Sequence, residues 1–289
     1  MALLRGGPSL STMKLYRRRN GVAIETEKRN FYSEGLSFNH LFQQSEPGEW
    51  LRSRLSTFEK AGKADGPLLP PLEGQEVWAA GVTYRRSREA RMEESEREAD
   101  VYDRVYRAER PELFFKATPQ RVVGHEGEVG IRSDSDWNVP EAELALAITS
   151  GGQVFGYSIG NDMSSRSIEG ENPLYLPQAK IYDGSCALGP CLLVTEEPLP
   201  SSTEIAIRVG RRGGVAFEGK TRLSEMKRRP SELAGFLFRD NSFPSGCYLL
   251  TGTGIVPESD FTLAPGDEIA ITIEPIGTLV NRVRSRDAR

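Results

Sequence analysis

Histidine and cysteine are scarce in this chain of 289 residues, with two and three copies. His40 and His125 are too few for a histidine-rich zinc centre. Cys186, Cys191 and Cys247 have no metal-ligand spacing, and their odd number leaves one unpaired, which points to reduced thiols in a cytoplasmic protein. Long apolar runs are missing as well. Nothing approaches the roughly 18–20 residues needed to span a bilayer, and the N-terminus lacks the apolar stretch of a signal peptide. Met13 is an alternative start, with the preceding twelve residues a tag or an extended reading of the gene. Positive charge is not in excess: a net charge of −4 and a sequence pI of about 5.5 argue against nucleic acid or an anionic membrane as partner. Repeats and low-complexity tracts are absent.

The length suffices for one large core, or for a large domain with a smaller one attached. The stiff stretch Gly66-Pro67-Leu68-Leu69-Pro70-Pro71 divides a small N-terminal domain, 1–72, from a catalytic domain, 73–289. Before it, short strands are expected around Lys14–Tyr16 and Gly21–Glu25 and a helix near Pro47–Ala61.

What the chain does carry is acid on one face of a hairpin. Pro140 to Arg166 reads as two alternating strands joined by a two-residue turn at Gly151-Gly152. With Ser150 opposite Gln153, Glu141 lies opposite Asp162 and Glu143 opposite Gly160, so three carboxylates share a face otherwise made of Ala145, Ala147, Gly156 and Ser158. The other face pairs Leu144 with Ile159, Leu146 with Tyr157 and Ile148 with Phe155, which makes a core face. Carboxylates 5–8 Å apart repel by roughly 3 kcal/mol per close pair at an effective dielectric near 20. Either a cation sits among them or one stays protonated; oxygen-only ligands suit Mg²⁺, with Mn²⁺ or Ca²⁺ as alternatives. The hairpin taken alone also fits an exposed acidic sheet face.

Around the hairpin, Glu76–Val82 reads as a buried strand and Thr83–Arg110 as a charge-dense helical stretch. Its stripe of Met92, Ala99, Tyr102 and Tyr106 serves either a solvated helix or a lid over the site. In the next strand, alternation puts Glu112, Phe114 and Lys116 on one face and Leu113, Phe115 and Ala117 on the other, so that Glu112 and Lys116 line a pocket or form a surface ion pair. The acids of Arg132-Ser133-Asp134-Ser135-Asp136-Trp137 read as turn-formers. A two-proline connection, 171–180, presents Lys180 to a strand at Ile181-Tyr182, as an ion partner or proton carrier beside the acids. Thr251-Gly252-Thr253-Gly254 offers amides and hydroxyls for a carboxylate, and is no P-loop, since no Gly-Lys-Ser/Thr follows.

Together ELFFKA at 112–117, EAEL at 141–144, GYSIGNDMSSR at 156–166, the Lys180 segment, TGTG at 251–254 and IGTL at 276–279 resemble the fumarylacetoacetate hydrolase superfamily over about Gln75 to Val283. Within it, RPELFFKATPQR, SDSDWNVPEAEL, NPLYLPQAKIYDG and TGTGIVP are most similar to 2-keto-3-deoxy-D-arabinonate dehydratases. The resemblance implies an α+β, mostly β fold: a mixed β-roll with a small N-terminal α/β domain, in a homodimer or homotetramer. It implies Mg²⁺ on Glu141, Glu143 and Asp162 with Lys180 beside them; catalysis is expected from Glu112 and Lys180, and substrate contacts from Ser87, Lys116, Arg166 and Thr253. One departure bears on chemistry. Hydrolases of the superfamily carry a water-activating lid histidine three residues after the tyrosine of a Gly-x-x-Tyr turn, where this chain has Ser87. A serine needs an activating partner to act as base near pH 7. Dehydration of a 2-oxo sugar acid is therefore expected. The alternatives are an acylpyruvate hydrolase or decarboxylase, and a non-catalytic metal-binding protein.

Overall fold

The computed structural model describes residues 12–60, 66–87, 99–195 and 197–284. In chain order its first strands are β1 (Thr12–Arg18), β2 (Gly21–Thr26), β3 (Asn30–Ser33), β4 (Glu59–Lys60), β5 (Glu76–Gly81) and β6 (Glu112–Ala117). Next come β7 (Val122–Val123), β8 (Glu128–Val129), β9 (Asn138–Val139), β10 (Ala142–Ile148), β11 (Val154–Asp162) and β12 (Ser164–Ser165). The last are β13 (Cys186–Thr195), β14 (Glu204–Arg211), β15 (Gly214–Arg222), β16 (Cys247–Leu250), β17 (Glu268–Ile273) and β18 (Gly277–Val283).

They form an 11-stranded sheet, ordered β4-β3-β2-β1-β13-β11-β10-β16-β5-β6 with β7 beside β13, a five-stranded sheet, β15-β14-β17-β18-β8, and the β9–β12 pair. Strands before residue 60 thus share the sheet that carries the acidic hairpin, because β1 pairs with β13 from Thr12↔Thr195 to Leu15↔Leu192.

Two cores explain the burial of the central strands on both faces. Ile205, Ile207 and Val209 of β14 alternate with less buried residues and, with Ile269, Ile271 and Ile273 of β17, meet Leu144, Leu146, Tyr157 and Ile159 between the sheets. On the opposite face Ala145, Ala147, Leu192, Tyr248 and Leu250 pack against β1, β2 and the helices Phe38–Phe42 and Pro47–Arg54. The small residues of the acid-bearing face are therefore covered, and their size is what lets that cover approach. At Gly156 an added Cβ would lie 2.5 Å from the Leu193 carbonyl oxygen. Gly156→Ala should cost about 1–3 kcal/mol of stability, as overpacked cores do, measured as a lowered urea midpoint; an unchanged midpoint would show the sheet can relax there.

The hairpin keeps its expected register over most of its length, from Ala142↔Asn161 to Ala147↔Gly156. Glu141 and Asp162 exchange backbone hydrogen bonds of 3.2 and 3.0 Å, which places them directly opposite one another. Its end differs from the expectation. Thr149 pairs with Gln153, so the turn is the three residues Ser150, Gly151 and Gly152, with Gly152 at φ +86°. Ile148 then opposes Val154, and Phe155 is the extra residue of a bulge. Phe155 lands on the opposite face, edge-on to Phe42 with ring centroids 4.8 Å apart. A second bulge sits in β6, where Val77↔Ala117 is followed by Trp78↔Phe115. Ala117 thereby joins Phe114 on the side of Val77 instead of facing with Leu113.

Two other expectations need correction. Residues 171–182 contain a 3₁₀ turn, Pro173–Tyr175, and a helix, Leu176–Lys180; each begins with a proline at its first turn, and no strand follows at Ile181. Of the charge-dense stretch, the helix Ala99–Arg107 is described, and its end is tied down where Arg228 donates to the carbonyls of Ala108 (2.5 Å) and Glu109 (2.8 Å). Met92 lies outside the described residues.

Candidate active site

The three acids converge at the open end of the hairpin. β10 and the residue before it supply Glu143 and Glu141, and β11 ends on Asp162. One oxygen from each of these buried carboxylates can be chosen so that all lie within 4.8 Å of one another. Glu143 is the most constrained: burial first, then the charges of Asp162 and Glu141, hold its carboxyl well above the usual carboxylate range, against the pull of Lys180 and the Gly252 amide. That amide donates to Glu143 at 2.5 Å, and Gly252 adopts φ +84° to bring it there.

The cations arrive from separate directions. Lys180, the last residue of its helix, donates to Glu141 (2.7 Å), Asp162 (3.1 Å) and the Ser164 hydroxyl (2.6 Å). Arg166 donates to Glu141 at 2.7 Å and lies 3.4 Å from Glu169, which is itself 3.4 Å from Lys180. Lys116, fully buried, lies 2.5 Å from the other Asp162 oxygen and donates to the carbonyls of Met163 (3.0 Å) and Lys180 (2.5 Å). Among the described residues, four buried acids, Glu141, Glu143, Asp162 and Glu169, thus face three buried cations, Lys116, Arg166 and Lys180, and Glu143 is the acid held toward its neutral form.

Above this layer opens a narrow cleft whose lining includes Glu112, Glu141, Asp162, Arg166, Lys180 and Thr253. Ser87 lines it as well, with its hydroxyl turned back on its own turn, donating to the Tyr84 carbonyl at 2.8 Å. Thr253 accepts from the Ile255 amide at 3.1 Å. Glu143 and Lys116 lie beneath the cleft floor; Lys116 does not line it. Glu112 is held against Gly81, where any side chain would collide with its carboxylate. Gly81→Ala should therefore displace Glu112 and lower turnover by about 10–100-fold, as a small misplacement of a reacting group does, with the fold intact by circular dichroism; wild-type turnover would detach Glu112 from the chemistry.

Pattern reading missed Glu169, whose signal was its i, i+3 spacing from Arg166 on one short helix, and Val82, a cleft residue at φ +51°. His125 accepts from the Val280 amide at 3.1 Å and lines no part of the cleft. Asp134 takes a two-pronged contact from Arg132, 2.7 and 2.5 Å, as expected of a turn acid. Burial pushes the Cys186 and Cys191 thiols up to about 12, so neither offers a thiolate.

The family "Fumarylacetoacetate (FAA) hydrolase C-terminal" matches residues 76–284, a span holding every group named above. The chain belongs to the fumarylacetoacetate hydrolase family. Among family members, the "Probable 2-keto-3-deoxyxylonate dehydratase" of Haloferax volcanii is 50% identical over 214 residues, 74% of this chain and 73% of that protein. The "2-dehydro-3-deoxy-D-arabinonate dehydratase" of Saccharolobus solfataricus is 46% identical over 223 residues, 76% and 75% of the two chains. A solved structure, "2-keto-3-deoxy-D-arabinonate dehydratase complexed with magnesium and 2,5-dioxopentanoate", superposes with TM-score 0.82 at 33% identity, covering 96% of this chain and 100% of that one. The mostly β, two-sheet architecture is the one expected from the family resemblance. Among the described residues, no helix is long and apolar enough to cross a membrane.

Proposed function

We propose that this chain is a metal-dependent dehydratase that converts a 2-keto-3-deoxy-pentonate to 2,5-dioxopentanoate, the semialdehyde of 2-oxoglutarate. The observation that carries it is one cleft lined by two of the clustered carboxylates, Lys180 and Glu112, on the fold of a dehydratase solved with magnesium and that product. The donor set fits a hard divalent cation: it is all oxygen, buried and mutually within 4.8 Å. Glu141, Glu143 and Asp162 would hold Mg²⁺, with Mn²⁺ or Ca²⁺ as substitutes. Such an ion supplies Lewis acidity toward a 2-oxo acid.

The chain's own residues divide the proton transfers. Lys180 is an ammonium with acceptors at Glu141, Asp162 and Ser164, so it has protons to give, and an ion taking up Glu141 and Asp162 would free one of those donors for the substrate. Glu112, an acceptor when ionised, is the base that removes the C3 proton. Lys180 protonates the C4 hydroxyl as it leaves as water. Loss of a C5 proton and its return at C3 then leaves an enol across C4 and C5, which tautomerises to the aldehyde. Arg166 and Thr253 contact the substrate's oxygens from the cleft wall. Ser87 stands where hydrolases of the family place the water-activating histidine, and dehydration needs no activated water.

Purified protein with Mg²⁺ and 2-keto-3-deoxy-D-pentonate should yield product in a coupled aldehyde dehydrogenase assay, and EDTA should abolish the signal. Pyruvate release from an acylpyruvate, without that product, would overturn the dehydratase reading in favour of a hydrolase.

A further inference from the structure

Glu169 stands apart from the other acids of the site. It is buried to 2% exposure, belongs to the helix Arg166–Glu171, and is not one of the three carboxylates that approach within 4.8 Å of one another. Its two oxygens are shared between two cations: Oε2 lies 3.4 Å from Arg166 Nη1 and Oε1 lies 3.4 Å from Lys180 Nζ. Those same cations make their shorter contacts, 2.7 Å each, to the two oxygens of Glu141, and Lys180 also reaches Asp162. Without an ion, then, Arg166 and Lys180 neutralise the very carboxylates that an ion would need. A divalent cation at the triad would repel both and compete for their partners. The acid left to hold both side chains in the cleft is Glu169.

We propose that Glu169 is a positioning residue: it takes over Lys180 and Arg166 when a divalent cation engages Glu141 and Asp162, and so couples ion binding to a cleft that keeps its proton donor. This rests on the triad as the metal site. The burial of all three groups is what gives Glu169 leverage, since a displaced ammonium or guanidinium that is only 2–3% exposed needs an acid partner more than one in bulk water does. Two features separate this role from mere packing. Glu169→Gln keeps the shape and changes only the charge, whereas Glu169→Asp keeps the charge and shortens its reach.

The test is Mg²⁺ titration by calorimetry of wild type, Glu169→Gln and Glu169→Asp, followed by kcat and KM at saturating Mg²⁺. In Glu169→Gln the two cations should stay on Glu141 and Asp162, weakening Mg²⁺ binding by about 10-fold or more, the range expected when a partner behind a metal site is lost. At saturating Mg²⁺, kcat should fall by about 10-fold or more with KM changed less than about 3-fold, the pattern of a group lost from the chemical step. Glu169→Asp should recover part of both. Wild-type Mg²⁺ affinity and kcat in Glu169→Gln would overturn the proposal. Failure of wild type to bind Mg²⁺ would instead overturn the metal site on which it rests. Should Glu169→Gln not fold, a crystal structure of wild type soaked with Mn²⁺ decides: Lys180 Nζ should move off Asp162 and close on Glu169, and an unmoved Lys180 would overturn it.

Discussion

Lys180→Met should reduce dehydration by about 10²–10⁴-fold, the usual contribution of a positioned proton donor, while leaving the protein able to bind a divalent cation. The reasoning starts from where the ammonium sits. It lies 2.7 Å from Glu141 and 3.1 Å from Asp162, so it competes with an ion for two of the three carboxylates. Removing it costs catalysis and relieves that competition. Mg²⁺ affinity, measured by calorimetry, should hold or rise. Substrate carrying a C3 hydrogen should still exchange it with deuterium from solvent, seen by proton NMR, because that step belongs to Glu112. Glu112→Gln should show the converse, with ion binding kept and C3 exchange lost. Retained exchange in Glu112→Gln together with lost exchange in Lys180→Met would reverse the assignment of base and acid, and wild-type turnover in either variant would remove that residue from the mechanism.

Lys116→Met should destabilise the ion-free protein by about 3–5 kcal/mol, the cost of removing one partner from a buried ion pair, because Asp162 would keep only its longer 3.1 Å contact to Lys180. The partner is Asp162, 2.5 Å from an ammonium that is wholly buried. The same ammonium satisfies the carbonyls of Met163 and Lys180, which fixes the chain where it leaves β11 and where the Lys180 helix ends. Urea unfolding without divalent ions measures the loss. Added Mg²⁺ should restore part of it in Lys116→Met, because the ion supplies positive charge to Asp162 and stabilises whichever state binds it. Were Lys116 instead a cleft residue touching substrate, stability would shift by under about 1 kcal/mol, as surface pairs do, and KM would rise.

These two lysines show how far pattern alone reaches. The sequence places Lys180 beside the acids but reads Lys116 as a pocket or surface partner of Glu112 and a substrate contact, and both do meet the acids. Their roles separate only because of chain paths that alternation does not encode. Lys116 passes under Asp162 at a bulge in β6, and Lys180 comes from a proline-started helix rather than a strand. Glu169 went unread for a related reason: its i, i+3 spacing from Arg166 allows an ion pair but does not tell a solvent-facing pair from one buried beside Lys180.

The sequence by itself determined the hairpin's register from Ala142 to Ala147, the face shared by Glu141, Glu143 and Asp162, and the family: a side-chain period of two leaves few ways to pair the strands, and the motifs spread along the chain carry the family. Tertiary structure decided what that face meets. Phe155 crosses to the opposite side because a bulge lets it stack on Phe42, a residue over a hundred positions away in the chain. The first strands continue the central sheet through β1 and β13. The balance of four carboxylates against three cations is struck by side chains from separate segments, spread from Lys116 to Lys180. Bulges, burial and charge compensation depend on contacts remote in sequence, and only the folded chain brings those partners within reach of one another.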